Sequence, residues 1–380
     1  MTIVPSHLYY LEGIQARRTP SVLSAVMAKS ARFHIDGITY IHNLQHLVKL
    51  SLIDKKYLND LILRKTHDYE HFSIKKKSGG HRYISAPKED LKRLQQWVNF
   101  YVLKNLSPHS CCYSYHKNSS IYKCALAHCS SKWLIKLDIE NFFDMTSELS
   151  VYKQFKSIGY SPIVSFALTR ICTYQPKFLT NNHDRWILYK RKNKDFIYPR
   201  EGIKYIGRLP QGAPTSPMLS NMVFYKTDEL IYNFIKKKGG IYTRYADDIF
   251  ISFSEEGFTR DDVSNIIGRI MGYLKSNGYS LNKTKIKISP PGTRKTILSF
   301  NVNESTPKLS KEFKKSIESH LYALNTFGPV LHAQHRGFDS VYGMLEHIKG
   351  KIFFAKSVHL EYGIACFNEF NSALEKHGFN

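Results

Sequence analysis

The sequence predicts an α+β protein. Three observations carry that expectation: two segments that read as hairpins, HFSIKKKSGGHRYISAP and IYTRYADDIFISF; an isolated apolar strand in KWLIKLDIENFF; and, around them, segments with apolar residues three and four apart.

Residues 1–70 are polar with spaced apolar positions, as in HNLQHLVKLSLIDKKYLNDLIL, and read as an N-terminal helical extension. Phe72 and Ile74 alternate with polar residues before a Gly-Gly pair, and Tyr83 and Ile84 follow it, which predicts a basic hairpin. Over 88–106, Leu91, Leu94, Trp97, Val98, Tyr101 and Val102 recur at helical spacing, with Pro87 at the start. The apolar run from Trp133 to Ile139 predicts a strand that delivers Asp138 near its end. Ser161 as N-cap and Pro162 in the first turn open a helix through about Ile171. Residues 176–208, with Lys190, Arg191, Lys192 and Lys194 clustered, read as an insertion or extended hairpin. The loop LPQGAPTSP comes next, then a helix through about residue 236, the second hairpin, a helix over 259–278 and a strand in SLNKTKIKIS. From about 305 the spacing is helical again.

Lys plus Arg exceed Asp plus Glu by 24 among 380 residues. Such a surface repels itself unless an anionic partner neutralises it. With 42% hydrophobic and 13% aromatic residues, the chain has apolar surface for cores and is no basic disordered tail. No window holds the roughly 18 consecutive apolar residues of a membrane span. Glu12, Arg17 and Arg18 interrupt any signal-peptide core. Nucleic acid is therefore the expected partner. The six cysteines form no CxxC pair, which fits the reducing cytoplasm. Cys124, His128 and Cys129 lack a fourth ligand at zinc-site spacing and are read as packing residues.

The chemistry concentrates at Tyr245-Ala246-Asp247-Asp248, between two strands. Adjacent carboxylates repel, and hard oxygen donors relieve that repulsion by taking Mg²⁺ or Mn²⁺. Asp138, at its own strand end before Phe142 and Phe143, supplies a second carboxylate group. Two such groups suit two cations that clamp the attacking hydroxyl and the leaving pyrophosphate of an in-line phosphoryl transfer. The loop from Leu209 to Pro217 holds three prolines and a glycine, a fixed backbone suited to close approach of a base or nucleotide. Lys75, Lys76, Lys77 and Arg82 on the first hairpin suit a triphosphate.

In this order, from about Phe72 to Ile288, the motifs resemble those of reverse transcriptases, most closely the bacterial retron type. The resemblance implies a right-hand fold with fingers over 71–135, a palm of antiparallel sheet and packed helices over 136–290, and a helical thumb or RNA-binding region over 291–380. It implies that Asp138, Asp247 and Asp248 are catalytic, and that with Ile139 they hold two Mg²⁺ ions, or Mn²⁺. By the same resemblance Phe143, five residues after Asp138, blocks a 2′-hydroxyl. Lys76, Arg82, Gln211 and Gly212 contact template or nucleotide, and Lys285 of Leu281-Asn282-Lys283-Thr284-Lys285 lies near the phosphates. The chain departs from the retron pattern twice: Cys124 stands where an Asn precedes Ala125-Leu126-Ala127-His128, and Ile297-Leu298-Ser299 where the family carries Val-Thr-Gly. Between 283 and 318 nine basic residues face three acidic ones, which suggests a phosphate-tracking groove including Lys308, Lys311, Lys314 and Lys315.

The resemblance implies an RNA-directed DNA polymerase that copies part of a cognate structured non-coding RNA into a small single-stranded DNA. It further implies priming from an RNA 2′-hydroxyl to give branched msDNA, with dNTPs as substrates, an RNA–DNA hybrid as product, no membrane, and antiphage defence beside a separate effector protein. Two other readings compete. One is a group II intron or other defence-associated reverse transcriptase, which a protein-linked or untemplated DNA would select. The other is a non-catalytic RNA-binding protein with a polymerase fold, against which the intact Asp138, Asp247 and Asp248 speak.

Overall fold

Residues 7–76, 79–175 and 206–379 are described by the computed structural model. Four helices come first: α1 (His7–Gln15), α2 (Pro20–Ile35), α3 (Leu44–Ser51) and α4 (Lys55–Ile62). Asn43 and Asp54 start the last two because their side-chain oxygens accept the amides of His46 and Tyr57, at 2.8 and 2.7 Å. Phe33, Ile41, Leu47 and Leu58 share one core with Leu91, Val98, Phe155 and Leu168. The N-terminal helices are thus continuous in packing with residues 91–168.

The basic hairpin forms from β1 (Tyr69–Lys75) and β2 (His81–Pro87), with Phe72 opposite Ile84 and Ile74 opposite Arg82. Gly79 and Gly80, at φ +87° and +77°, supply the left-handed backbone of its turn. Lys77 lies outside the described residues, as does 176–205, nearly all of the expected insertion. The helix expected through 106 changes pitch: α5 (Glu89–Val98) runs into a π-helical turn, Asn99–Leu103, that brings Val102 and Leu103 together into the core.

Next come α6 (Ile121–Leu126), β3 (Trp133–Asp138), α7 (Phe142–Met145), α8 (Glu148–Ile158) and α9 (Pro162–Cys172). Ser161 stands at the N-cap of α9, but its hydroxyl is buried and makes no capping bond, so Pro162 with its preset φ opens the helix without it. Then come α10 (Ser216–Lys237), β4 (Ile241–Tyr245), β5 (Asp248–Phe253) and α11 (Arg260–Ser276). Thr259 and Asp262 start α11 with a reciprocal capping box.

The expected strand in SLNKTKIKIS is reduced to β6 (Lys287–Ser289), because Asn282 caps a 3₁₀ turn over Lys283–Lys285 by accepting the Thr284 amide. Strands β7 (Thr296–Ile297), β8 (Phe300–Asn301) and β9 (Lys308–Leu309) form a small antiparallel sheet. Helices α12 (Lys311–Arg336), α13 (Val341–Val358) and α14 (Leu360–Lys376) end the chain. A kink at Gly328 and Pro329 divides α12.

The central sheet is antiparallel in the order β4-β5-β3-β6. Alternation sorts its two faces. Ile135, Leu137, Ile249 and Ile251 bury against Phe224, Ile231, Ile266 and Ile270 of α10 and α11. On the opposite face Leu134 and Phe250 join a core with Ile317, Leu321, Ile348 and Phe370 of the C-terminal helices. Lys136, Asp138 and Asp248 share that second face by strand register. The hydrophobic pattern therefore decides which way the carboxylates point.

Candidate active site

Asp138 ends β3 directly opposite Asp248, the first residue of β5. Tyr245 pairs with Asp248 in turn, so Ala246 and Asp247 form a two-residue connection between β4 and β5. Ala246 sits at φ +56°, a conformation that costs a non-glycine residue free energy and needs support. Its amide donates to Ser114 Oγ at 2.9 Å, and its carbonyl accepts from Arg244 Nη1 at 2.9 Å. The Asp247 carbonyl accepts the Ile139 amide at 2.9 Å, which fastens the turn to the end of β3.

Beneath the turn Arg244 is fully buried. Its Nε and Nη2 donate to the two oxygens of Asp228 on α10, at 2.9 and 2.6 Å, and Nη1 also reaches Asn221 Oδ1 at 2.9 Å. Tyr242 donates to Asp228 Oδ1 at 2.7 Å, and the guanidinium lies 4.7 Å from the Phe224 ring centre. Asn221 holds the Ser114 carbonyl at 2.8 Å, so one polar network braces both sides of the carboxylate turn. Sequence reasoning missed Ser114, Asn221, Asp228 and Arg244. The only available signal was an Arg on an otherwise apolar strand with an Asp on the preceding helix.

Asp138 is 7% exposed, and its Oδ2 accepts from Lys285 Nζ at 2.8 Å. The 3₁₀ turn capped by Asn282 is what aims Lys285 at the strand end. Asp248 pairs with Lys136 Nζ at 3.1 Å. Burial raises the Asp247 pKa, and the neighbouring charges of Asp248 and Asp138 raise it further against the pull of Lys285. Among the described residues no three His, Cys, Asp or Glu side chains are grouped to hold a metal ion. Asp138 and Asp248 each lie against a lysine ammonium. Their oxygens are the hard donors that a divalent cation prefers.

Phe143 on α7 is half-buried, its ring 5.7 Å from Phe142. Gly212, at φ +120°, lies so close to β2 that a Cβ there would meet Ile84 Cγ2 at 2.9 Å, and the Ser85 amide donates to the Gln211 carbonyl at 2.8 Å. The glycine in the proline-rich loop is thus required by its positive φ and by the close approach of β2. Register puts Arg82 on the hairpin face that carries Ile84, turned to this loop, while Lys76 stands exposed beyond the end of β1. The structure gathers Asp138, Ile139, Phe143, Asp247, Asp248 and Lys285 at one place, with Gln211, Gly212 and Arg82 on its hairpin side. Lys308, Lys311, Lys314 and Lys315 lie apart, around the start of α12. There Lys308 pairs with Glu304 and Lys314 covers the Tyr362 ring at 4.7 Å.

His128 is buried between Ser252 Oγ and Thr243 Oγ1, at 2.7 Å from each, and burial pushes its pKa down to about 3. Cys124 Sγ lies 3.3 Å from the same threonine hydroxyl. Both side chains therefore hold α6 and its following turn against the central sheet. Leu298 and Ser299, at φ +47° and +73°, make the tight turn between β7 and β8, the place where the retron pattern has glycine.

A family model described as reverse transcriptase (RNA-dependent DNA polymerase) matches residues 74–302. The Retron Ec86 reverse transcriptase of Escherichia coli is 26% identical over 88% of this chain and 90% of its own length. The Retron Mx162 reverse transcriptase of Myxococcus xanthus is 24% identical over 88% and 70%, and the Retron Ec73 reverse transcriptase of Escherichia coli 29% identical over 72% and 81%. The matched region contains the carboxylate turn, the hairpin and the proline-rich loop, and the chain belongs to the reverse transcriptase family, RNA-directed DNA polymerases built on the right-hand α+β fold.

Proposed function

We propose that the chain copies part of a cognate structured non-coding RNA into a small single-stranded DNA. Priming from an RNA 2′-hydroxyl gives branched msDNA, and the system serves antiphage defence beside a separate effector protein. The observation that carries the retron part is the resemblance to retron enzymes across most of both chains. The observation that carries the chemistry is Asp138 in register with Asp248, with Asp247 beside them in the turn between β4 and β5. On this reading 71–135 act as fingers, 136–290 as palm and 291–380 as thumb, and 1–70 pack onto the fingers and palm.

Asp138, Asp247, Asp248 and the main-chain carbonyl of Ile139 would hold Mg²⁺, with Mn²⁺ as a substitute. The raised Asp247 pKa fits that role, since burial and the nearby Asp248 and Asp138 carboxylates both disfavour its negative charge and a cation would relieve them. When bound, the metals supply Lewis acidity toward the primer hydroxyl and the phosphates of the dNTP. The residues of the chain do the positioning. Arg82 and Lys76 neutralise the triphosphate from the hairpin, and Gln211 and Gly212 offer backbone to the nascent pair. The Phe143 ring fills the space a 2′-hydroxyl would need. Lys285, released from Asp138, stays beside the phosphates. Lys308, Lys311, Lys314 and Lys315 track the RNA or the RNA–DNA hybrid farther from the chemistry.

The nucleic acid that copurifies with the protein tests the proposal. A small DNA joined to RNA through a 2′–5′ linkage is expected. DNA carrying a covalently attached protein, or DNA made without template, overturns the retron reading and leaves the polymerase assignment standing.

A further inference from the structure

Tyr115 lies in the loop between α5 and α6, outside the motifs that carry the catalytic residues. Its backbone is left-handed, at φ +63°, an outlier for a bulky side chain. The conformation is held from outside the residue. Ser114 is clamped by the Ala246 amide at 2.9 Å and by Asn221 Nδ2 at 2.8 Å, and the Tyr113 amide donates to the Arg244 carbonyl at 2.9 Å. Strained residues held by their surroundings cluster at active sites and ligand clamps.

The side chain is not absorbed by any of the three hydrophobic cores. It remains 41% exposed, although the residues on its N-terminal side, Cys112 and Ser114, are buried. Its ring centre lies 6.5 Å from that of Phe143 and 6.3 Å from that of Tyr245. The phenol feels the charges of both Asp247 and Arg82, and burial together with Asp247 pushes its pKa up to about 12, so it is a neutral donor at physiological pH. Asp247 marks the carboxylate end of the cleft and Arg82 its hairpin end. The ring thus stands with Phe143 and Tyr245, beside the carboxylate turn.

We infer that Tyr115 is a substrate-contacting residue, its ring forming with Phe143 and Tyr245 the aromatic floor beneath the deoxyribose and base edge of the incoming nucleotide. The left-handed backbone lifts the side chain out of its loop, and the network under Ala246 sets its height relative to the carboxylates. The inference rests on the placement of the nucleotide by Asp138, Asp247 and Asp248.

Tyr115→Gly and Tyr115→Phe test it, with Asp247→Ala as a control. Glycine accepts φ +63° without strain, so the Gly variant keeps the fold while deleting the ring. In steady-state incorporation on a primed RNA template, Tyr115→Gly is expected to raise KM for dNTP about tenfold with a much smaller change in kcat, because the lost contact is made by bound substrate. Tyr115→Phe keeps the ring and is expected to restore most of that KM. A Gly variant with unaltered melting temperature and KM within twofold of the parent overturns the proposal, as does a Phe variant as impaired as the Gly variant. An Asp247→Ala protein that still synthesises DNA would overturn the placement of the nucleotide itself, which separates the two failures.

Discussion

Replacing Asp228 by Asn leaves the Arg244 guanidinium buried with a neutral partner. Both side chains are wholly inaccessible, and the pair is bidentate at 2.9 and 2.6 Å, with Tyr242 as a third donor to the same carboxylate. Removing one member of such a pair costs about 3–5 kcal/mol, because the remaining charge keeps its desolvation penalty and loses its compensation. Against a typical stability of about 5–15 kcal/mol that is a large fraction. With a urea m-value of about 3 kcal/mol/M, the unfolding midpoint should fall by roughly 1–2 M. Equilibrium denaturation followed by tryptophan fluorescence measures it. The double variant Asp228→Leu, Arg244→Met removes both charges and should recover most of the midpoint, since a well-packed apolar pair can match a buried ion pair. It should not recover DNA synthesis, because the Ala246 carbonyl has lost its Arg244 donor. A midpoint shift below about 0.3 M for Asp228→Asn, or a double variant as active as the parent, would refute the role given to this pair.

Other perturbations reach other parts of the molecule. Asp247→Ala with Asp248→Ala should abolish Mg²⁺-dependent dNTP incorporation and leave RNA binding in a gel-shift assay intact; residual synthesis would sink the metal assignment. Phe143→Ala should relax ribonucleotide exclusion by about 10–100-fold in competition between dNTP and rNTP, the scale of one well-placed steric contact. His128 has a folded pKa of about 3 against the ordinary 6.5, so the unfolded chain binds its proton first as pH falls. Its stabilising share is whole above 6.5 and declines toward 3, by about 1.4 kcal/mol per pH unit. Acid melts should therefore be flatter for His128→Gln than for the parent, and parallel curves would exclude the effect. Lys311→Ala with Lys315→Ala should lower the magnitude of the slope of log affinity for RNA against log salt by about 1–2, with little change in kcat.

Motifs whose local chemistry is complete within a few residues are legible from the chain alone. The Gly-Gly hairpin, the Asp-bearing strand ends and the capped helix over Arg260–Ser276 declare themselves through turn residues and periodicity. The bracing network does not. Arg244 sits on a strand where Tyr242, Thr243 and Arg244 are all buried, so no alternation marks its environment, and its partner comes from a different element. Ser114 and Tyr115 lie in a loop without periodicity, and their significance comes from a turn more than a hundred residues later. Lys285 is recognisable through its motif, yet the strand expected there misplaces its backbone. A single Asn282 cap, which competes locally with strand pairing, bends the chain into a 3₁₀ turn and sends the ammonium to Asp138. Register read as burial is dependable, since the same alternation that hides Ile135 and Leu137 turns Asp138 to the cleft side.

The neck of the 176–205 segment carries a different kind of consequence. Tyr174 and Arg208 exchange both main-chain hydrogen bonds, each at 3.0 Å, and Arg208 pairs with Asp144 beside Phe143. Just beyond, Glu148 receives Arg64 at 3.1 Å and the Gly207 amide at 2.8 Å. The chain therefore leaves and returns at adjacent points of a locked frame. Between ends fixed in that way, a flexible connection costs only about 0.6 kcal/mol more for each doubling of its length. The frame therefore separates the length of chain between its two ends from the placement of Asp144 and Phe143, on the helix that follows the carboxylate strand.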